Sequence, residues 1–90
     1  MKIEQTLSFK SKAKKLHKNQ IAELEIAVKT ICKDPTIGTK KKGDLAEVYV
    51  YKFKMKKSLH LLAYTWNEEK DVLTLLQLGG HENFYRDLKH

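Results

Sequence analysis

The spacing of apolar residues changes from a helical to a strand period at Asp34-Pro35, and this change limits the fold more than any other feature of the sequence. Before it, one stripe of a helix is formed by Ile21, Leu24, Val28 and Ile31. Because the residue before a proline is disfavoured in the helical region, the helix should end at this dipeptide. After it, much of residues 47–78 alternates as strands do. Helices and strands are thus segregated along the chain, which predicts an α+β domain with helices packed on one face of a sheet.

The N-terminal third is predicted to form a strand and then a two-helix hairpin, of which the stripe above is the second helix. Residues 2–7 alternate as a short strand does. Ser8 is a suitable N-cap for the first helix, in which Phe9, Ala13 and Leu16 have helical spacing.

The C-terminal part predicts three antiparallel strands after a flexible loop. The loop, residues 36–44, contains two glycines and three consecutive lysines. The strands are expected at residues 47–55, 58–66 and 71–78. The last strand is apolar on both faces, which favours a central position; Gly79-Gly80 should end it, before a short tail or helix. The predicted order is β-α-α-β-β-β with a three-stranded antiparallel sheet.

The length and the distribution of special residues narrow the class of protein. A chain of 90 residues is expected to form a single domain over residues 1–90. No apolar stretch approaches the roughly 18 residues that cross a bilayer, and the N-terminus lacks the apolar region of a secretory signal. The lone Cys32 is interpreted as a buried structural thiol. No residues have metal-ligand or nucleotide-loop spacing. We therefore expect a cytoplasmic protein without a metal or cofactor.

The basic residues are concentrated in the first two thirds of the chain. The net charge is +7, but residues 1–60 hold 15 Lys against 6 acidic residues, whereas residues 61–90 carry a net negative charge. Of the 18 basic residues 17 are Lys, and Arg86 is the single Arg. Lysines act as point charges toward phosphates, while base reading favours the arginine fork. This balance favours binding to a nucleic-acid backbone, although many small basic proteins bind no nucleic acid.

Part of the positive charge is concentrated in a run of alternating lysines. On the strand predicted at residues 47–55, Lys52 and Lys54, with Lys56 after them, share a face at a spacing of about 6.6–7 Å. That spacing is close to the repeat of backbone phosphates, so the three ammonium groups are suited to hold RNA and to assist proton transfer. The alternative is an edge strand that carries lysines to prevent aggregation. The sequence pattern leaves both interpretations open.

The residues that follow the last predicted strand form a second candidate group. His81 can titrate near neutral pH, Tyr85 can act as an acid, a base or a stacking surface, and Arg86 can stabilise negative charge. The alternative is that these residues are structural. His60 alternates with Leu62 and Tyr64, so it is either a core histidine or part of the same cleft as the lysines.

Together these segments resemble toxins of the RelE/ParE superfamily from type II toxin–antitoxin systems, over nearly the whole chain. The segments that carry the resemblance are Ile31-Cys32-Lys33-Asp34-Pro35, Ile37-Gly38 through Lys42-Gly43-Asp44-Leu45, Tyr51-Lys52-Phe53-Lys54 and Leu78-Gly79-Gly80-His81. The resemblance implies a bacterial or archaeal toxin that enters the ribosomal A site. There it would cleave messenger RNA by attack of the 2′-hydroxyl and so inhibit translation.

The resemblance also implies roles for residues and for partners. Lys52 and Lys54 match the strand lysines of the RelE branch, Tyr85 matches its aromatic C-terminal residue, and His81 matches the catalytic histidine of the YafQ-like branch. His60 and Arg86 are additional catalytic candidates. Contacts with ribosomal RNA or message are expected from Lys40, Lys41, Lys42, Lys56 and Lys57. The implied partners are the ribosome, messenger RNA and a small cognate antitoxin, acidic or DNA-binding, through which the complex would bind operator DNA.

One position departs from the RelE pattern. That branch has a catalytic arginine on the strand after the lysines, and the ungapped match here is Leu61 with His60 beside it. Either His60 replaces the cation after a shift of one residue, or the site is weaker. The ParE branch shares the fold and poisons DNA gyrase instead. A gyrase inhibitor and a catalytically weakened homologue are therefore the alternatives to an RNA-cleaving enzyme.

Overall fold

A computed structural model describes residues 1–40 and 48–80. Seven elements follow one another along these residues. In chain order they are β1 (Lys2–Gln5), α1 (Leu7–Lys14), α2 (Lys18–Lys33), β2 (Thr39–Lys40), β3 (Tyr49–Met55), β4 (Ser58–Asn67) and β5 (Val72–Gly80). The predicted α+β class and the strand–helix–helix–strand order are confirmed.

The predicted three-stranded antiparallel sheet is wrong, because the sheet has five strands of mixed direction in the order β1-β5-β4-β3-β2. β1 runs parallel to β5 from the register Lys2–Val72 onward. Parallel neighbours require a crossover connection, so they lie far apart in sequence and local alternation does not reveal their pairing. β2 lies within the predicted loop and pairs with the first residues of β3.

Several element boundaries also differ from the prediction. β1 ends at Gln5 rather than at residue 7. The first helix is capped by Thr6 rather than Ser8: the Thr6 hydroxyl accepts the N–H of Phe9 at 3.1 Å and donates to the carbonyl of Leu76 at 2.6 Å. β5 continues through Gly79-Gly80 instead of ending before it, since Gly79 pairs with Leu61 and Gly80 with His60. Backbone pairing needs no side chain, so the long β4 extends β5 across the two glycines.

The two faces of the sheet have different partners. The helix face packs against α1 and α2 and holds the larger core, whose buried members are Phe9, Leu24, Ile31, Met55, Leu62, Tyr64, Leu73, Leu75 and Leu78. The opposite face has a second buried cluster of Val50, Leu61 and Ala63. The proline boundary of α2 is confirmed at Lys33. Three predicted burials are only partial, because Ile21 is 38% exposed and Val28 and Cys32 are half-buried.

Candidate nucleic-acid interface

Two exposed lysines lie on the opposite face of β3. Lys52 pairs across the strands with Leu61, and Lys54 with Leu59. Alternate residues of a strand lie on one face at about 6.6–7 Å, so both ammonium groups belong to one rigid surface. β2 pairs only with Tyr49 and Val50, so the lysine-bearing half of β3 has β4 as its single partner among the described residues. The lysines are therefore placed both to contact RNA and to protect an edge of the sheet, so the fold is consistent with either role.

The next two lysines form the turn between β3 and β4. Met55 pairs with Ser58, and both turn residues have positive φ, 50° at Lys56 and 70° at Lys57. This is the backbone of a type I′ hairpin turn, in which glycine and asparagine are normally preferred. The N–H of Lys56 donates to Glu23 Oε2 at 3.2 Å, which ties the turn to α2. The prediction that Lys56 shares the strand face of Lys52 and Lys54 is wrong because the chain has already left the strand there.

Lys40 lies at the other end of β3 and on the other face of the sheet. It pairs with Tyr49, a helix-face residue, and its Nζ lies 5.9 Å from the centroid of that ring. This distance permits a cation–π contact. Lys40 and the pair Lys52–Lys54 thus flank the β3 edge from opposite faces. Lys41 and Lys42 lie outside the described residues.

A buried tyrosine, which the sequence interpretation did not single out, holds the segment before Lys40. The Tyr64 hydroxyl donates to the carbonyl of Pro35 at 2.7 Å and accepts the N–H of Gly38 at 3.0 Å. Its ring stacks on Tyr49 with centroids 5.4 Å apart and planes inclined by 13°. Burial raises the pKa of Tyr64 above its ordinary value, so the hydroxyl keeps its proton at neutral pH. The sequence feature that could have indicated this role is the position of Tyr64 within an apolar strand, because a buried tyrosine hydroxyl requires a hydrogen-bond partner.

His60 lies away from the strand lysines. It pairs with Phe53 on the helix face, with ring centroids 6.3 Å apart, and its Nδ1 lies 3.0 Å from the Ser58 carbonyl oxygen. The register places Leu61, which has no exposed surface, opposite Lys52. A one-residue shift that would put His60 beside the lysines is therefore not present.

The predicted C-terminal site residues, His81, Tyr85 and Arg86, lie outside the described residues. What the structure describes is the end of β5, where Gly80 pairs with His60 and His60 pairs with Phe53. The last described residue of β5, Gly80, is thus separated by one strand from the end of β3 that carries Lys54.

An apolar groove lies on the far side of the molecule, between β1, α1 and α2. Its volume is about 490 Å³, and Ile3, Phe9 and Leu24 contribute to its walls. All four residues of β1 are exposed, and β1 is an edge strand of the sheet. Lys10 and Lys14 of α1 lie at the adjoining surface, and no acidic residue occurs in α1. The groove is therefore an apolar surface whose α2 side carries Glu25 and Lys29 and whose α1 side adjoins lysines.

The described parts of the chain contain neither a metal-binding group of side chains nor a helix that could span a membrane. Within residues 1–40 and 48–80, no three His, Cys, Asp or Glu side chains are arranged to hold a metal ion. No helix in those ranges has the length and apolar character needed to cross a membrane.

Comparison of the sequence with models of protein families shows to which family the chain belongs. A model of the family described as ParE-like toxin of type II bacterial toxin–antitoxin systems matches residues 3–89. The chain belongs to this family. The predicted membership of the RelE/ParE superfamily is thereby confirmed, and the protein is a ParE-like toxin of a type II system. No protein of curated function matches the chain.

Solved structures share the fold of this ParE-like toxin at low sequence identity. A chain of the intact E. coli RelBE toxin–antitoxin complex superposes with a TM-score of 0.72 at 21% identity, covering 90% of this chain and 96% of that one. The YoeB/ParE toxin from Agrobacterium tumefaciens gives 0.74 at 18% identity, covering 90% and 99%. A chain of the RelBE2 toxin–antitoxin complex from Mycobacterium tuberculosis gives 0.74 at 17% identity, covering 89% and 96%. At these identities the likeness establishes the fold of the toxin.

Proposed function

We propose that this ParE-like toxin is a ribosome-dependent endoribonuclease that cleaves messenger RNA in the A site. The observation that carries the proposal is the basic border of the β3–β4 hairpin, where Lys52 and Lys54 share one strand face and Lys56 and Lys57 form the turn. Side chains on a hydrogen-bonded strand are held at fixed spacing, which suits them to stabilise the charge on a phosphate in the transition state. Solved relatives with the same fold include RelE toxins, which supports the RNA-cleaving branch.

The proposed reaction is a transesterification within the RNA chain. The 2′-hydroxyl oxygen of the RNA attacks the adjacent phosphorus, and the bond from phosphorus to the 5′-oxygen of the next nucleotide breaks. A base removes the 2′ proton and an acid protonates the leaving oxygen, so the products are a cyclic phosphate and a free 5′-hydroxyl. We assign phosphate binding to Lys52 and Lys54, acid or base catalysis to His81, and deprotonation or base stacking to Tyr85. Arg86 is a further source of positive charge, whereas the placement of His60 argues against a role beside the lysines.

The test is the cleavage of a reporter message in cells that express the toxin. Cuts in phase with codons are expected, and the substitution Lys54→Gln should reduce cleavage about 100-fold if the lysine stabilises the transition state. His81→Ala should abolish it. The matched control is Lys70→Gln, since Lys70 is an exposed lysine in the turn at the other end of β4. Equal cleavage by the Lys54 and Lys70 variants would refute the assignment of Lys54.

A ParE-like inhibitor of DNA gyrase is the second candidate, and one observation favours it. Leu61 is fully buried where the RelE branch resemblance calls for a cation, so the lysine face lacks that charge. A weakened RNA-cleaving homologue would share this feature. Expression that leaves the message intact and induces a DNA-damage response would support the gyrase inhibitor. An intact message without that response would support the weakened homologue.

We propose further that a cognate antitoxin covers the groove between β1, α1 and α2. Apolar walls and a margin of α1 lysines suit an acidic amphipathic segment. β1 is an edge strand among the described residues, so it can pair with an added strand. The antitoxin would bring the toxin to operator DNA, and the pair is expected in the cytoplasm.

The antitoxin proposal is tested with the protein encoded by the adjacent reading frame. Ile3→Glu places a charge in the groove and should weaken its capture, whereas Ile26→Glu is the control because exposed Ile26 lies on the other side of α2 beside β3. An equal effect of the two substitutions would contradict this location.

A further inference from the structure

We infer that Tyr64 is a positioning residue that holds Lys40 in place for contact with an RNA phosphate. The role of Lys40 in RNA contact rests on the proposed function, whereas the hold of Tyr64 on the chain rests on geometry alone. Tyr64 lies on β4, near the middle of the sheet, and has no exposed surface. Its hydroxyl nevertheless reaches the segment that precedes β2.

The hydroxyl binds the segment at two points three residues apart. It donates to the Pro35 carbonyl at 2.7 Å and accepts the Gly38 N–H at 3.0 Å. One hydroxyl thus satisfies a backbone acceptor and a backbone donor that are both close to the core. Because burial favours the protonated phenol, both bonds persist at neutral pH.

Gly38 shows how closely the segment is held. A Cβ atom at this residue would lie 2.9 Å from the Tyr64 hydroxyl oxygen and 3.0 Å from the Val50 carbonyl oxygen. Real Cβ atoms almost never approach other atoms so closely. The backbone at Gly38 is therefore enclosed between β4 and β3, in a space that only glycine fits.

Lys40 follows this point by two residues. Thr39 pairs with Val50 and Lys40 with Tyr49, so two described residues of β2 belong to the ladder. The Tyr49 ring is stacked between Tyr64 and the Lys40 ammonium group, at 5.4 Å and 5.9 Å respectively. Tyr64 thus acts on Lys40 by two routes, through the backbone at Gly38 and through the Tyr49 ring.

The physical consequence is a cation that is ordered before RNA arrives. Fixing a long flexible side chain and its backbone during binding costs conformational entropy, and prior order lowers that cost. Loss of the Tyr64 hydroxyl should therefore weaken RNA binding although it removes no charge. Removing the Tyr64 hydroxyl should weaken RNA binding only when Lys40 is present.

The experiment is a double-mutant cycle with Tyr64→Phe and Lys40→Gln. Affinity for a single-stranded RNA oligonucleotide is measured at several salt concentrations for the four proteins. Tyr64→Phe should weaken binding about fivefold in the presence of Lys40, the effect of one contact, and should reduce the salt dependence by up to one lysine contact, a slope of about 0.7. In the Lys40→Gln background it should change neither quantity. Tyr51→Phe is the matched control, because it removes the hydroxyl of a β3 tyrosine that takes no part in either route to Lys40.

Amide hydrogen exchange supplies a readout that does not depend on RNA. The Gly38 amide should lose protection in Tyr64→Phe and keep it in Tyr51→Phe. Unchanged protection at Gly38, or an equal effect of Tyr64→Phe on affinity in both Lys40 backgrounds, would overturn the inference. If the unmodified protein binds no RNA oligonucleotide, the RNA contact of Lys40 fails, whereas the proposed cleavage is decided separately by the reporter message in cells. The exchange measurement then still decides whether Tyr64 holds the segment.

Discussion

We expect the strained backbone at the two lysines of the β3–β4 turn to lower the free energy of unfolding. Replacing Lys57 by glycine tests this. Lys57 has a φ of 70° and Lys56 a φ of 50°, both in the left-handed region. A residue with a Cβ atom costs roughly 1–2 kcal/mol in that conformation. Glycine removes this cost but loses about 0.4–1 kcal/mol through the greater freedom of the unfolded chain. These two effects leave a net gain of roughly 0–1.6 kcal/mol. We expect a value near the middle of that range, a rise of about 0.5–1 kcal/mol in the free energy of unfolding of Lys57→Gly.

The assay is thermal unfolding followed by circular dichroism, with RNA affinity measured on the same proteins. For a domain of this size, the expected gain corresponds to a rise in Tm of about 2–8 °C. If Lys57 contacts RNA, its removal should also weaken binding and lower the salt dependence by a slope of about 0.7. The variant is thus expected to be more stable and to bind RNA less tightly.

Lys70→Gly is the matched control for the turn. Lys70 is an exposed lysine in the β4–β5 turn, and it is not among the residues with positive φ. The same substitution there removes a charge and adds chain freedom without relieving strain, so it should lower stability by about 0.4–1 kcal/mol. A loss of stability in Lys57→Gly equal to that in Lys70→Gly would refute the argument from backbone strain. Unchanged RNA affinity would show that Lys57 makes no contact with RNA.

Three further changes are predicted for the free energy of unfolding, each measured by urea titration with the fluorescence of Trp66. Gly38→Ala should destabilise the protein by about 1–3 kcal/mol, because the added Cβ meets Tyr64 and the Val50 backbone; a neutral effect would show that the segment is free to move. Leu61→Ala should cost about 2–5 kcal/mol, since this side chain is fully buried, and a loss below about 1 kcal/mol would mean that the lysine face is not packed there. The folded state holds the Tyr64 proton more tightly than the unfolded state, so stability is fully present below the ordinary tyrosine pKa of 10.0 and falls as pH rises beyond it. Tyr64→Phe should have a shallower alkaline slope, and an identical slope would contradict this assignment.

The candidate site was predictable only in part. The positions of some of its residues follow from the local sequence pattern, whereas the positions of others depend on how the strands pair. The alternation around Lys52 and Lys54 indicated their common face, and the structure confirms that both lie on the opposite face of β3. The same alternation extended to Lys56 failed, since the pattern does not show where a strand turns. His60 could not be assigned to a face relative to the lysines until the register joined Phe53 to His60.

Sequence alone determined the class of the domain, the end of α2 at the proline, and the three later strands, because periodicity and proline sterics act over a few residues. The family relationship was also readable from segments spread along the chain. Tertiary structure decided that β1 lies parallel to β5, that β2 exists, and that β5 continues through Gly80. It also decided that the Tyr64 hydroxyl holds Pro35 and Gly38. These contacts join residues far apart in sequence, and their energy comes from pairing and burial that no local pattern contains.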